Sequence, residues 1–244
     1  MNKIQLSFSG AKPLDQDICN WAQILDNDQQ APGVQLDTID VDIANLQENF
    51  LNCGIPRYTI QDLELLLFQA QEIDKRLQKW EESLPSSWRP IIVSEPVCIA
   101  PSITAAGLYQ SHCTVHCSIS ISSMWNRYRA SRIRVLTILQ TCNPTEHTYQ
   151  EQIQQLADDT CATVPFHLGN RTETGVMGDK RVLYPMVRGD KLMEEHYTIA
   201  SAKGGINLLG PLTLLMGRTD LRQGQREWIG GQVRRIFKLY RLGN

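Results

Sequence analysis

At 244 residues, 42% of them hydrophobic and 20% charged, the chain can bury one sizeable core and has the balance of a globular domain. A net charge of −2 gives no general attraction to nucleic-acid phosphate, whose binding needs clustered basic residues. No apolar run reaches the ~18 residues of a membrane-spanning helix, the start MNKIQLSFSGAKP lacks the apolar core of a secretory signal, and seven scattered cysteines predict reduced thiols in the cytosol.

Residues 1–56 are polar and aspartate-rich, interrupted by Pro13, Pro32, Gly33, Gly54 and Pro56. Two short helices are predicted there, Leu14 to Leu25 and Thr38 to Leu51, both packing on a main body that occupies 57–244. Thr59 with Asp62 approximates a capping box, and Ile60, Leu63, Leu67, Ala70, Ile73, Leu77 and Trp80 follow at steps of three and four until Pro85. The stretch 86–102, SSWRPIIVSEPVCIAPS, is Pro-rich and β-branched and reads as an extended connector or lid. A long helix from about Thr104 to Gln140 then crosses the domain and stops at Asn143-Pro144. Thr148 with Glu151 suggests a second capping box, opening a helix with Ile153, Leu156, Ala157, Thr160, Cys161 and Val164 inward and Pro165 at its end. The glycine-rich run from Gly169 to Gly189 is predicted to be a surface loop. A helix from Leu192 to Gly217 should be kinked or split by Gly204, Gly205, Gly210 and Pro211. The last helix, Gln223 to Leu242, buries Trp228, Ile229, Val233, Ile236, Phe237 and Tyr240 and turns Arg226, Arg234, Arg235, Lys238 and Arg241 outward. No strand-period alternation stands out, so the predicted class is all-α.

Polar groups thread the central helix. His112 and His116 fall four apart, a spacing that can share a metal, but no glutamate follows the first histidine and no third ligand stands out. Polar core lining and ligand contact are the other readings; no metal is predicted. Arg129 and Arg132, three apart, can clamp a carboxylate or pair with Asp158 or Asp159 of the next helix. His167, at a helix end after Pro165-Phe166, can cap carbonyls or tune a pocket mouth. There is no GxSxG, Walker loop, GxGxxG or paired-carboxylate motif, so no cofactor is predicted.

The same residues carry a resemblance. MWNRYRASRI, LADDTCATVPFHLG, GGINLLGPLTLLMG and QREWIGGQVRRIF, in that order, with RYTIQDLELLLFQAQEIDKRLQKWEESLP upstream, resemble the all-helical regulatory region of fungal zinc-cluster transcription factors from about Arg57 onward. The zinc-cluster DNA-binding module of that family needs a dense run of six cysteines with CxxC pairs. Here the cysteines stand at 19, 53, 98, 113, 117, 142 and 161 with no CxxC. The resemblance implies a single domain of about seven helices around a long central one, with a pocket between helices.

Two functions follow as expectations. In the first, the domain is redeployed in fungal secondary metabolism as a cofactor-free cyclase, isomerase or Diels-Alder-type enzyme acting on a small apolar metabolite. Tyr128, His116 and His112 would be its catalytic groups, and Ser123, Trp125, Arg129 and His167 would bind substrate. In the second, it is a ligand-sensing or protein-interaction module of a transcription regulator, without direct DNA contact. The first places it in the cytoplasm and the second in the nucleus, and neither needs membrane insertion.

Overall fold

The computed structural model describes residues 31–53, 59–94, 98–173, 181–186 and 194–243. The fold is all-α. Among the described residues the helices are α1 (Pro32–Cys53), α2 (Ile60–Ser83), α3 (Pro101–Gly107), α4 (Ile119–Cys142), α5 (Thr148–Ala162), α6 (Val164–Leu168), α7 (Glu194–Ile199), α8 (Gly205–Met216) and α9 (Gln225–Tyr240). Short strands β1 (Ile91–Ser94) and β2 (His112–Val115) pair antiparallel, Ile91 opposite Val115 and Ser94 opposite His112. The helix predicted over Leu14 to Leu25 lies outside the described residues.

The central helix α4 packs against α1, α2, α5 and α8, and buried side chains occur all round it. A helix enclosed on every side loses the amphipathic stripe of a surface helix. On its α1–α2 side the core holds Leu36, Ile39, Ile43 and Leu46 of α1 and Leu66, Ala70, Ile73, Leu77 and Trp80 of α2. Each such leucine or isoleucine contributes about 1.5–3 kcal/mol by leaving water. Thr59 and Asp62 close the predicted capping box on α2, Thr59 N–H donating to Asp62 Oδ2 at 3.0 Å and Asp62 N–H to Thr59 Oγ1 at 3.1 Å. Leu66 replaces Ile60 in the apolar seam, since Ile60 at the first turn is 77% exposed.

Several boundaries differ from the sequence reading. Helix α1 starts at Pro32, six residues before Thr38, because proline's fixed φ suits the first helical turn and its missing N–H is not needed there. It is fixed to the body by Arg127, which meets Asp37 at 2.5 Å and Asp40 at 2.6 Å, and by Trp80 Nε1–H donating to Pro32 O at 2.7 Å. The long helix predicted from Thr104 is in fact α3, the strand β2 and then α4. Ser118 starts α4, its Oγ accepting from Ile121 N–H at 3.2 Å. Strand alternation is invisible in HCTV because Cys113, Thr114 and Val115 are all buried. The capping box expected at Thr148 does not form; instead Thr148 donates from both N–H and Oγ1 to Glu146 Oε1.

Whereas α8 runs unbroken through Gly210 and Pro211, the chain passes from α7 to α8 through a π turn at Ala200–Gly204, at the first pair of glycines expected to interrupt it. Its glycines allow close approach. A Cβ on Gly204 would lie 2.6 Å from His167 O, and one on Gly205 would lie 2.4 Å from Tyr240 Cε2. Because the helical path runs on through the turn, Glu194–Met216 is 23 residues with mean hydropathy 1.2, apolar and long enough by those two measures to cross a membrane. The sequence reading looks for an uninterrupted apolar run, and the polar residues of this segment hide the span. Leu208, Leu212 and Leu215 of this path are buried in the core.

A second, smaller core gathers Val93, Ile103, Cys113, Val115, Ile119, Phe166, Val182, Tyr184 and Tyr197 beneath the two-stranded ribbon. It corrects the expected surface loop at 169–189: Arg171 and Tyr184 are fully buried. The remaining parts of that run, 174–180 and 187–189, lie outside the described residues.

Candidate functional site

Three aromatics define the α2 side of the central helix. Trp80 stacks on Tyr128 with ring centroids 5.2 Å apart, and Trp125 meets both rings edge-on at 6.1 Å and 5.6 Å. The Trp125 indole N–H donates to Trp88 O at 2.8 Å, which holds the turn after α2 against α4. Beside this cluster an open cleft of about 250 Å³ runs between the end of α2, Pro90, α4 and α5. Its walls include Glu81, Trp125, Tyr128, Arg129, Arg132, Gln152, Leu156 and Asp159. The wall opposite α4 is α5, and the end of α2 closes a third side.

Charge along the cleft is largely settled internally. Arg132 Nε donates to Asp74 Oδ1 at 2.9 Å, Nη1 to Tyr128 Oη at 3.2 Å and Nη2 to Gln152 Oε1 at 3.3 Å. Tyr128 donates its hydroxyl proton to Glu81, and burial followed by that bond raises its pKa well above the usual phenol value. Arg129 is 3% exposed, lies 5.6 Å from the Trp125 ring centre and donates to Asn126 Oδ1 at 2.8 Å. Asn126 Nδ2 in turn donates to Thr163 Oγ1 at 2.9 Å, and Thr163 donates to Thr160 O at 2.8 Å. Burial lowers the pKa of Arg129, with Asp159 and then Glu81 opposing that shift by their charge.

Of the two carboxylates expected to pair with these arginines, Asp159 acts on Arg129 by its charge and Asp158 is engaged elsewhere. Asp158 instead accepts from Tyr109 Oη at 3.0 Å, Gln154 Nε2 at 2.8 Å and Gln225 Nε2 at 3.1 Å, and meets Arg222 at 3.1 Å. Three donors from elsewhere in the chain and one from its own helix leave that carboxylate no capacity for the central helix.

Of the predicted site residues, Tyr128, Trp125 and Arg129 meet at the cleft. The others do not. His112 sits in β2 opposite Ser94, so His112 and His116 share no helix face. His116 is buried behind Trp125, 6.3 Å between ring centroids, and 6.2 Å from Phe166. Both of its nitrogens lack a hydrogen-bond partner; burial first, then the Arg129 charge, hold its pKa down at about 2. Ser123 turns to α8, donating to Ile119 O at 2.7 Å and accepting from Asn207 at 2.8 Å. His167 is fully buried between Gly204 O and Ser122 Oγ, each at 2.9 Å. A carbonyl only accepts, so Nδ1 carries the proton and Ser122 donates to Nε2. Burial keeps this imidazole neutral, its pKa down at about 3.

Glu81 and Asp74 were missed, and the spacing held the signal. Asp74, Leu77 and Glu81 recur at steps of three and four on the face of α2 that buries Leu77, facing Tyr128 and Arg132 one turn apart on α4. Among the described residues no group of three or more His, Cys, Asp or Glu side chains is placed to hold a metal ion. The chain matches no protein-family model, no curated protein and no solved structure.

Proposed function

We propose that this chain is a ligand-sensing regulatory domain, of the kind its resemblance to fungal zinc-cluster regulators implies, and that the cleft between α2, α4 and α5 is its ligand site. The observation that carries this is the state of the cleft's polar groups. Tyr128 is committed to Glu81, and Arg132 to Asp74 and Gln152, so these two walls of the recess are pre-organised and Arg129 is left to meet a ligand. A cleft of about 250 Å³ suits a fragment-sized molecule. The Trp125 and Leu156 walls favour a flat apolar body, and Arg129 and Asp159 favour a polar head.

The test fuses the full chain to an unrelated DNA-binding domain and reads a reporter gene. Transcription should change several-fold against the DNA-binding domain alone. The double substitution Arg129→Gln with Asp159→Asn should abolish the change at an unaltered protein level. A reporter indifferent to the fused chain would sink the proposal.

A second reading, cofactor-free chemistry on a small metabolite, is favoured by one observation. His116 is a neutral, unpartnered imidazole whose ring centre lies 6.3 Å from that of Trp125, a wall of the cleft. An imidazole in that state can accept or relay a proton from a substrate that displaces the indole. Under this reading His116→Ala removes one metabolite from cells and leaves transcript levels unchanged. Under the regulatory reading transcripts change first.

A further inference from the structure

The second core buries a positive charge that no carboxylate among the described residues balances. Arg171 is fully buried. Its Nε donates to Leu168 O at 3.2 Å, and its Nη2 reaches Ala200 O at 3.1 Å and Tyr240 Oη at 2.9 Å. These are neutral acceptors, and Nη1 has none at all. Arg235 lies beside it, donating from Nε to Arg171 O at 2.6 Å and from Nη2 to Gly169 O at 2.7 Å. Burial, and then the charge of Arg171, lower the Arg235 pKa to about 10. Two guanidiniums thus share one low-dielectric region with no carboxylate among the described residues in contact with Arg171. An unpaired buried charge is among the costliest features a fold can hold.

Three hydroxyls of the same region are in the same condition. Tyr184 Oη, Tyr197 Oη and Ser201 Oγ are each buried without a hydrogen-bond partner. Their elements bring them together. Asn170 N–H donates to Leu183 O at 3.1 Å and Leu183 N–H returns to Asn170 Oδ1 at 3.0 Å, which lays Tyr184 beside Arg171. Tyr197 and Ser201 stand one turn apart where α7 enters the π turn, and Ser201 follows the Ala200 carbonyl that Arg171 contacts. Ser201 faces the Tyr184 hydroxyl without reaching hydrogen-bond geometry, and Arg171, Tyr240 and Tyr197 also act on that hydroxyl.

We propose that Arg171 Nη1 with the hydroxyls of Tyr184, Tyr197 and Ser201 forms an internal binding site for one compact monovalent anion, a halide or a small oxyanion such as nitrate or formate. A guanidinium N–H and three hydroxyl protons are the donor set such an ion takes, and its charge offsets the guanidinium. The site stands apart from the α2–α4–α5 cleft and does not depend on how that cleft is used.

The test dialyses the full-length protein into gluconate, too bulky for the site, and adds chloride, nitrate or formate at constant ionic strength while following thermal unfolding. With at least one compact anion, the melting temperature should rise along a one-site saturation curve. Tyr184→Phe and Ser201→Ala should leave the melting temperature in gluconate unchanged or raised, since each deletes an unsatisfied hydroxyl. Each should move the saturation midpoint about tenfold upward, the worth of one hydrogen bond to a charge. Arg171→Gln should lose the response; because it risks misfolding, the two hydroxyl variants carry the test. Equal melting temperatures in all anions would overturn the proposal, as would a saturation curve that both hydroxyl variants leave in place. So would Asp179→Asn or Asp190→Asn destabilising the gluconate form as much as Arg171→Gln, because the chain's own carboxylate would then be the counter-charge.

Discussion

On the α1–α2 side of the central helix, polar groups are closed by partners of opposite kind: Arg132 by Asp74, Tyr128 by Glu81, Arg127 by Asp37 and Asp40. In the second core, around the ribbon and the π turn, His116, Arg171, Tyr184, Tyr197 and Ser201 each have at least one polar atom buried and unmet. The two regions differ in exposure, Arg127 and Asp37 being 44% and 61% exposed where Arg171 is fully buried, and they differ in carboxylates. Helices α1 and α2 carry aspartates and glutamates at helical spacing toward α4, while the ribbon, α6 and the π turn offer mainly backbone carbonyls. A carbonyl satisfies a donor but not a charge. The first region is therefore a closed scaffold around an open cleft, and the second depends on neutral histidines and a cation without a described counter-charge.

Acid should separate the two regions most strongly. His116, His167 and His196 have folded pKa values lowered to about 2, 3 and 4 from an unfolded 6.5, burial being the main cause in each. Below pH 6.5 the unfolded chain takes up protons that the folded chain refuses, so stability falls with pH until the folded values are reached. Each histidine then costs up to about 1.4 kcal/mol per pH unit. Circular dichroism on acidification should show unfolding between pH 6.5 and 4, and hydrogen exchange should show the ribbon side opening first. A fold intact at pH 4 would contradict the buried neutral state of these imidazoles.

Asp74→Ala attacks the closed side. It strips Arg132 of its 2.9 Å partner and leaves a guanidinium 16% exposed with Glu81 at 3.9 Å. Denaturant unfolding should register a loss of about 3 kcal/mol. A loss under half of that would mean the ion pair is dispensable and the contrast between the regions overstated.

Tyr128→Phe should cost about 1–2 kcal/mol, because Glu81 and Arg132 both lose a buried partner while the stack on Trp80 survives. Tyr197→Phe, measured in gluconate, sits at the other end. Its hydroxyl has no partner, so removal should change stability by less than about 0.5 kcal/mol or increase it. If the two phenylalanine variants cost the same, the distinction between met and unmet hydroxyls fails.

The sequence made some of this legible because some of the physics is local. Thr59 and Asp62 announce α2, Gly204 and Gly205 announce the bend before α8, and Trp228, Ile229 and Ile236 trace the inward face of α9. Arg235 was placed outside by that same periodicity, and Phe237 inside; in the fold Arg235 reaches inward to Gly169 O, and Phe237 is 43% exposed. The cleft was half legible, through Trp125, Tyr128 and Arg129, since bulky and polar residues at core spacing on one helix are visible in the chain. Its other wall needed α2 and α5 to be placed side by side.

What the sequence by itself determined is the all-α class, the capped α2, the kinked helix and the central role of the segment around Trp125 to Arg132, because helical periodicity, capping chemistry and glycine freedom act within a few residues. The tertiary structure decided the rest. It cut His112 to Val115 away from the central helix as a strand, since pairing with Ile91 to Ser94 is a long-range bond that no local pattern encodes when both faces are buried. It also drew Arg171 and Tyr184 out of an apparent surface loop into the core. The groups that hold Arg171 come from α6, the π turn and α9, and only the folded chain brings carbonyls so far apart in sequence to one guanidinium.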